Sequence, residues 1–465
     1  MMLKTQRNPT IHPSIFRAYD IRGIVGQTIT EDGVYFIGRA LGTLVMEAGN
    51  KRMVVARDGR LSGPLLSTAL CEGILSSGCD VINLGMVPTP LLYYATAVVG
   101  VNSGVMLTGS HNPSDYNGLK MVINGKTLSE NDIKELHQRI IEKRFCEGKG
   151  KLEHLEIAAR YINHVFEDVK LARPLKVVVD CGNGIAGGVA PDLFRRMGCD
   201  VHEIFCEIDG RFPHHHPDPS QPENLQDLIQ KVQYTQADIG LAFDGDGDRL
   251  GVVTSQGKII WPDRQLMLFA KAILAERPGA KIIYDVKCTS HLGKLISDLG
   301  GEPIMWKTGH SFIKTKLAET SAVLAGEMSG HIFFKDRWYG FDDAIYAGAR
   351  MLQIIAAQPR SSDAVFDDIP NSVNTPELKI YVSDDEKFAL MAELVSQADF
   401  GKAHVNTIDG LRVNFPDGWG LVRPSNTTPC LVLRFEAESE AVLKKIQTVF
   451  RIFLLGVKPD LVLPF

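Results

Sequence analysis

A chain of 465 residues, 45% hydrophobic and 23% charged, can bury several cores, and its length suggests three or four domains. A formal net charge of -5 and a pI near 6.2 give no global basic field, and Lys and Arg form no local patch, which argues against nucleic-acid or anionic-membrane partners. Apolar runs are too short to cross a bilayer core of about 30 Å, the start lacks a secretory signal, and eight cysteines without a Cys-x-x-Cys pair read as reduced thiols, so a soluble cytoplasmic protein is expected.

The first apolar strand, Met53-Val-Val-Ala56, ends at Arg57-Asp58. A helix-like stretch follows, and Gly78-Cys-Asp-Val-Ile82 opens a second strand, so the segment reads as a βαβ unit. A further apolar strand stops at Thr108-Gly-Ser-His-Asn-Pro113. Ser110, on a tight loop after a strand, could present its hydroxyl to a cleft and accept phosphate. The adjacent His111 is expected to diverge from it, which leaves a bound cation as the better electrostatic partner. Taken alone, such a serine is equally a turn or cap residue.

The same pattern returns with Val177-Val-Val179 before Asp180, then Gly198-Cys-Asp-Val201, then the loop Asp244-Gly-Asp-Gly-Asp-Arg249. Three carboxylates held that close cannot all stay ionised without a cation, and hard oxygen ligands select magnesium, calcium or manganese. A calcium loop would need glycine at its sixth position and glutamate at its twelfth, where this chain has Arg249 and Ser255. Two other motifs compete in this repeat. Gly182-Asn-Gly184-Ile-Ala-Gly187 with Glu203 about 20 residues on resembles a dinucleotide fingerprint, which would make the protein a nicotinamide-dependent oxidoreductase. His214-His-His216 with Asp218 could bind a transition metal, but Pro213, Pro217 and Pro219 make a surface loop the better expectation.

A third copy runs through Ile282-Ile-Tyr284 before Asp285 and Gly300-Gly-Glu-Pro-Ile304 to Gly326-Glu-Met-Ser-Gly-His331. Here Glu327 and Ser329, flanked by His331, offer acceptors for sugar hydroxyls. From about Asn371 the pattern breaks, with strands expected at 378–382 and 431–435 and a helix at 438–454. Before the last strand, Arg423-Pro-Ser-Asn-Thr-Thr-Pro429 combines one fixed cation with Ser425, Asn426, Thr427 and Thr428, the donor inventory that phosphate wants. Three related α/β domains, 1–154, 155–258 and 259–370, and a smaller C-terminal α+β domain, 371–465, are therefore expected around a central cleft, because ligands of open α/β sheets collect at the carboxyl ends of strands.

In this order the four loops resemble the α-D-phosphohexomutase superfamily over nearly the whole chain, and Glu327-Met-Ser329 is similar to the bacterial phosphomannomutase/phosphoglucomutase group. The resemblance implies four domains about one deep cleft, a phosphoserine at Ser110, and Mg2+ held by that group with Asp244, Asp246 and Asp248. Arg249 would stand beside the phosphate. Tyr19 and Arg22 in Phe16-Arg-Ala-Tyr-Asp-Ile-Arg-Gly23, Lys120 in Asn117-Gly-Leu-Lys120, Lys287, and His310 in Lys307-Thr-Gly-His-Ser311 match further active-site segments, with acid and base roles shared among Lys120, Arg22 and His310. Pro424 departs from the small residue expected there. The implied reaction interconverts 1- and 6-phosphates of mannose and glucose through a bound 1,6-bisphosphate that turns around, with glucose 1,6-bisphosphate as activator, in a monomer whose last domain moves. Phosphoglucosamine mutase and metal-dependent phosphatase are the alternatives nearest to it.

Overall fold

The computed structural model describes residues 11–426 and 428–465. Val- and Ile-rich strands that are buried on both faces favour parallel pairing, and three sheets of seven, five and four strands result, which share one four-strand order. In the first, Arg52–Arg57 lies between Asp80–Met86 and Gly104–Leu107, all parallel, and Tyr116–Ile123 adds antiparallel beside Gly104–Leu107. Lys176–Asp180, Asp200–Ile204, Ile239–Phe243 and Leu250–Thr254 repeat that arrangement. So do Lys281–Asp285, Glu302–Trp306, Leu324–Gly326 and Ile332–Phe334. The Ser110, Asp244 and Glu327 loops each join the third strand to the antiparallel fourth, so equivalent turns of three repeats carry three different chemistries.

One apolar cluster runs through the three repeats, including Tyr94, Phe194 and Phe334. Trp338 stacks on Tyr346 at 4.4 Å and on Tyr94 at 5.7 Å, joining the third unit to the first. The C-terminal unit has its own core around Leu394, Phe435 and Phe450. Its strands Leu411–Phe415, Gly418–Pro424 and Cys430–Ala437 pair antiparallel, backed by helices Asp384–Ser396 and Glu440–Val457. This architecture of three α/β units plus a C-terminal unit is the one expected from the repeats. The last helix starts two residues later than 438, because the Ser439 side chain accepts from Val442 N–H and caps it. Buried Arg412 donates to the carbonyls of Val286 and Cys288, and Thr289 Oγ1 donates to Glu436 at 2.9 Å, which ties the C-terminal unit to the loop that carries Lys287. Among the described residues no helix is long and apolar enough to cross a membrane.

Candidate active site

The loops of all four units meet at a cleft of about 570 Å³. Ser110 is held at φ +49°, a left-handed conformation that few non-glycine residues adopt. A buried cradle fixes it there. Asp58 accepts from Thr108 Oγ1 at 2.8 Å and from Gly109 N–H at 3.1 Å, while Arg60 donates to the carbonyls of Ser110, Asn112, Pro113 and Tyr116. This pair was not singled out in the sequence; the only signal was its place at the end of the first repeat's strand. The expectation that His111 diverges from Ser110 is corrected: Ser110 Oγ lies 3.1 Å from His111 Nδ1 as well as 3.1 Å from Asp244 Oδ2. The left-handed turn at Ser110 folds the two neighbouring side chains to one side, where an extended backbone would splay them.

Asp244, Asp246 and Asp248 are fully buried and converge closely enough to hold one ion. Glycine is required between them, since a Cβ on Gly245 would lie 2.3 Å from the Ser110 carbonyl oxygen. Burial, then the charges of Asp246 and Asp248, push the Asp244 carboxyl well above its ordinary range. Burial opposes the Asp246 carboxylate too, but Lys120 Nζ at 2.8 Å more than offsets it and holds Asp246 low. Lys120 also contacts Asp248, and these two carboxylates overcome its burial and keep it charged. Asp246 Oδ1 and Asp248 Oδ1 have no hydrogen-bond partner although buried. Orphaned carboxylate oxygens beside a serine hydroxyl fit a hard divalent cation.

Arg249 follows the acidic loop, and its Nε donates to His331 Nε2 at 3.0 Å. Glu327, buried, accepts from Gly309 N–H and from Ser329 Oγ at 3.1 Å; burial, then Asp285, raises its carboxyl. Burial, then Asp20 and Glu327, push the Tyr19 hydroxyl to about 12. His310 meets Tyr19 edge-on at 5.2 Å, and its two ring nitrogens have no hydrogen-bond partner; burial, then Lys314, lowers it well below the usual histidine range. Arg22 reaches Gly109 O at 3.2 Å and the Asn112 side chain, beside the Ser110 loop.

From the C-terminal unit, buried Arg423 donates through Nε to Asp409 at 2.9 Å and leaves Nη2 without a partner. Asp409 also accepts from Thr308 N–H at 2.9 Å, beside His310. Ser425 and Thr428 hydroxyls pair at 2.8 Å, and Asn426 lines the cleft with them. Thr427 lies outside the described residues. Lys287 is joined to Glu377, a residue the sequence reading missed, at 2.6 Å.

The two competing motifs take other roles. Gly184 packs against the acidic loop, with Ile185 N–H donating to Gly245 O at 3.1 Å, and Glu203 pairs with Arg195. His214 stacks on Phe205 at 4.1 Å while His215 turns to Asp180 at 3.1 Å, so these imidazoles do not converge.

Four family models match the chain: Phosphoglucomutase/phosphomannomutase, alpha/beta/alpha domain I at residues 13–147, domain II at 159–257, domain III at 261–373, and the C-terminal domain at 377–452. The chain is 55% identical over 463 residues to a phosphomannomutase/phosphoglucomutase of Pseudomonas aeruginosa, covering 100% of both. It is 51% identical over 459 residues to a phosphoglucomutase of Neisseria gonorrhoeae, covering 98% of this chain and 99% of that one. The crystal structure of a phosphoglucomutase/phosphomannomutase family protein from Burkholderia thailandensis is similar with a TM-score of 0.94 at 54% identity, covering 98% of this chain and 100% of that one.

Proposed function

The chain belongs to the phosphoglucomutase/phosphomannomutase family, and we propose that it interconverts the 1- and 6-phosphates of mannose and glucose by way of a phosphoserine at Ser110. It is an isomerase that acts on small phosphosugars. The observation that carries the serine route is the contact of Ser110 Oγ with Asp244, where Ser110 lines a cleft that the Arg423 loop also lines.

In the forward half-reaction the bond from phosphorus to Ser110 Oγ breaks as a bond to the sugar's 6-oxygen forms. The 6-hydroxyl proton passes to a base, and His310, kept neutral by burial and with free ring nitrogens, suits that task. Lys120, held protonated against Asp246 and Asp248, supplies fixed positive charge beside the acidic loop, the proton that leaves the 6-hydroxyl balances the one Ser110 Oγ takes up, and Arg22 remains a charge that holds phosphate. Asp244, Asp246 and Asp248, with the Ser110 phosphate, would hold Mg2+, which would supply positive charge to the transferred group. Arg249 lies beside the same group. Glu327, Ser329, Tyr19, Lys287 and His331 hold the sugar, while Arg423 with Ser425, Asn426 and Thr427 grips the phosphate that is not reacting. After the bisphosphate turns around, Ser110 takes back the 1-phosphate. Adaptable neutral donors suit a clamp that receives either end, and rotation of the C-terminal domain gives the sugar room to turn. Glucose 1,6-bisphosphate restores Ser110 when an intermediate escapes. The reading includes a monomer, and eight free cysteines fit a reducing cytoplasm.

A coupled assay of mannose 1-phosphate and glucose 1-phosphate, with Mg2+ and a trace of glucose 1,6-bisphosphate, tests the assignment. Metal-dependent turnover of both sugars is expected. Turnover of glucosamine phosphate alone would overturn the substrate class and leave the family intact.

A further inference from the structure

His215, half-buried and outside the cleft, has an acceptor at each ring nitrogen. Its Nδ1 lies 2.9 Å from the His216 carbonyl oxygen, and its Nε2 lies 3.2 and 3.1 Å from the two oxygens of buried Asp180. A carbonyl oxygen can only accept, so Nδ1 carries a hydrogen. The hydrogen between Nε2 and the carboxylate stays on the ring, because imidazole is ordinarily the stronger base. With both nitrogens protonated the ring is an imidazolium paired with Asp180. Burial opposes that charge, but Asp180, then the His216 carbonyl and the more distant Asp227 on the helix Gln226–Thr235, outweigh it and raise the His215 pKa. Of its neighbours, His216 is held low by burial, and His214 turns away to stack on Phe205.

Two segments meet at this pair. Asp180 ends the strand Lys176–Asp180 and accepts from Gly182 N–H at 2.9 Å, where the turn towards Ile185 begins. His215 opens the short stretch to Pro217. The two segments touch, since a Cβ on Gly182 would lie 3.0 Å from His215 Cε1 and 3.1 Å from Pro217 Cα. Both then reach Gly245, the residue between Asp244 and Asp246. Pro217 O accepts from Gly245 N–H at 3.1 Å, and Ile185 N–H donates to Gly245 O at 3.1 Å. The two peptide groups that space Asp244 from Asp246 are thus gripped from either side.

We propose that His215, held as an imidazolium by Asp180, is a positioning residue: it ties the Pro217 segment to the Ile185 turn and so fixes the spacing of Asp244 and Asp246 across Gly245. Its effect on Mg2+ rests on the reading of the acidic loop as the metal site; the charge on the ring does not. A histidine raised above its unfolded value of about 6.5 contributes its full stability below that pH and loses it as pH rises through the folded value. The grip on Gly245 therefore loosens on the alkaline side, where deprotonated carboxylates alone would bind a cation at least as well.

Asp180→Asn removes the charge and keeps the shape. Its amide oxygen still accepts from Gly182 N–H, and its NH2 donates to Nε2, which leaves His215 neutral with one hydrogen on Nδ1. Nitrogen NMR of histidine-labelled enzyme, with His215 assigned from a His215→Gln variant, reads the charge directly. His215 should titrate above pH about 6.5 in the wild type and below it in D180N. Calorimetric titration with Mg2+ should show affinity about 10-fold weaker in D180N and in H215Q, each checked as folded by its melting transition. Raising the pH through the His215 titration should bring wild-type affinity towards that of D180N, while D180N shows no such fall. A wild-type His215 that titrates at or below the ordinary value would overturn the proposal. So would a folded D180N or H215Q that binds Mg2+ as tightly as wild type while Asp246→Asn does not. If Asp246→Asn binds Mg2+ like wild type, the metal reading fails instead, and the two titrations still decide whether Asp180 holds the charge on His215.

Discussion

Ser110 Oγ and Asp244 Oδ2 lie 3.1 Å apart across two sheets and 134 positions of chain. Thr89 Oγ1 also donates to the acidic triad, to Asp246 at 2.6 Å, but of the two hydroxyls it is Ser110's that lines the cleft, so Ser110→Ala removes the phosphoryl carrier without disturbing the carboxylates. Turnover should fall by more than about 1000-fold, as loss of a nucleophile does. Intact-mass measurement after incubation with glucose 1,6-bisphosphate checks the cause: wild type gains one phosphate, and the variant should gain none. Phosphate uptake by the variant would move the carrier elsewhere.

Lys120 occupies the place of a counter-ion in the triad, donating to Asp246 at 2.8 Å and to Asp248. In Lys120→Met the carboxylates lose their fixed cation and depend on a bound one. The variant should melt earlier than wild type in chelator and regain a larger share of its stability with Mg2+. A ligand at 100 times its Kd contributes about 2.7 kcal/mol, so the difference is within reach of thermal melts. Equal Mg2+-induced shifts in the two proteins would show that Lys120 and the ion do not share those oxygens.

Much of this was legible in the chain because strand, loop and strand recur with the same spacing, and the residues at each loop are unlike ordinary turn residues taken together. The three-unit architecture followed from Val177 to Val179 and its two counterparts, and the convergence of Asp244, Asp246 and Asp248 followed from alternation with glycine. What was missed depends on contacts between units. Arg60 reads as an ordinary polar residue until the Ser110 loop closes over it, and Glu377 until the C-terminal sheet brings it to Lys287. His111 was misjudged because a single positive φ at Ser110, invisible in the residue type, decides where its neighbour points.

Lys287 and Glu377 join the third unit to the C-terminal one at 2.6 Å. Burial disfavours the Glu377 carboxylate, but Lys287 and then Arg423 offset it and bring its pKa to about 2. A folded pKa below the unfolded value of about 4.3 means the pair adds stability above pH 4.3 and loses it as pH falls through about 2. Glu377→Gln should therefore lower the unfolding midpoint near neutrality, by no more than about 1 kcal/mol because the group is partly solvated. The gap from wild type should close between pH 4.3 and pH 2. A gap that stays constant over that range would mean the pair does not titrate as one.

Arg60 is the most demanding position in the first unit, since its buried guanidinium donates to four carbonyls of the Ser110 loop, pairs with Asp58 at 3.2 Å, and lies over the Phe212 ring at 5.1 Å. Arg60→Met leaves Asp58 buried without its cation and should cost about 3–5 kcal/mol, read as a large drop in melting temperature. Loss of activity in that variant alone would be ambiguous, because a protein that unfolds also stops working. The double variant Asp58→Leu with Arg60→Met resolves it: removing both charges should recover part of the stability, while the Ser110 carbonyl still lacks the donor that holds φ at +49°. We expect a folded double variant with kcat reduced on the order of 100-fold, because a misplacement of about 1 Å at the reacting atom costs that much. A folded double variant with wild-type kcat would mean that the Asp244 contact alone positions Ser110, and that the cradle serves only the fold.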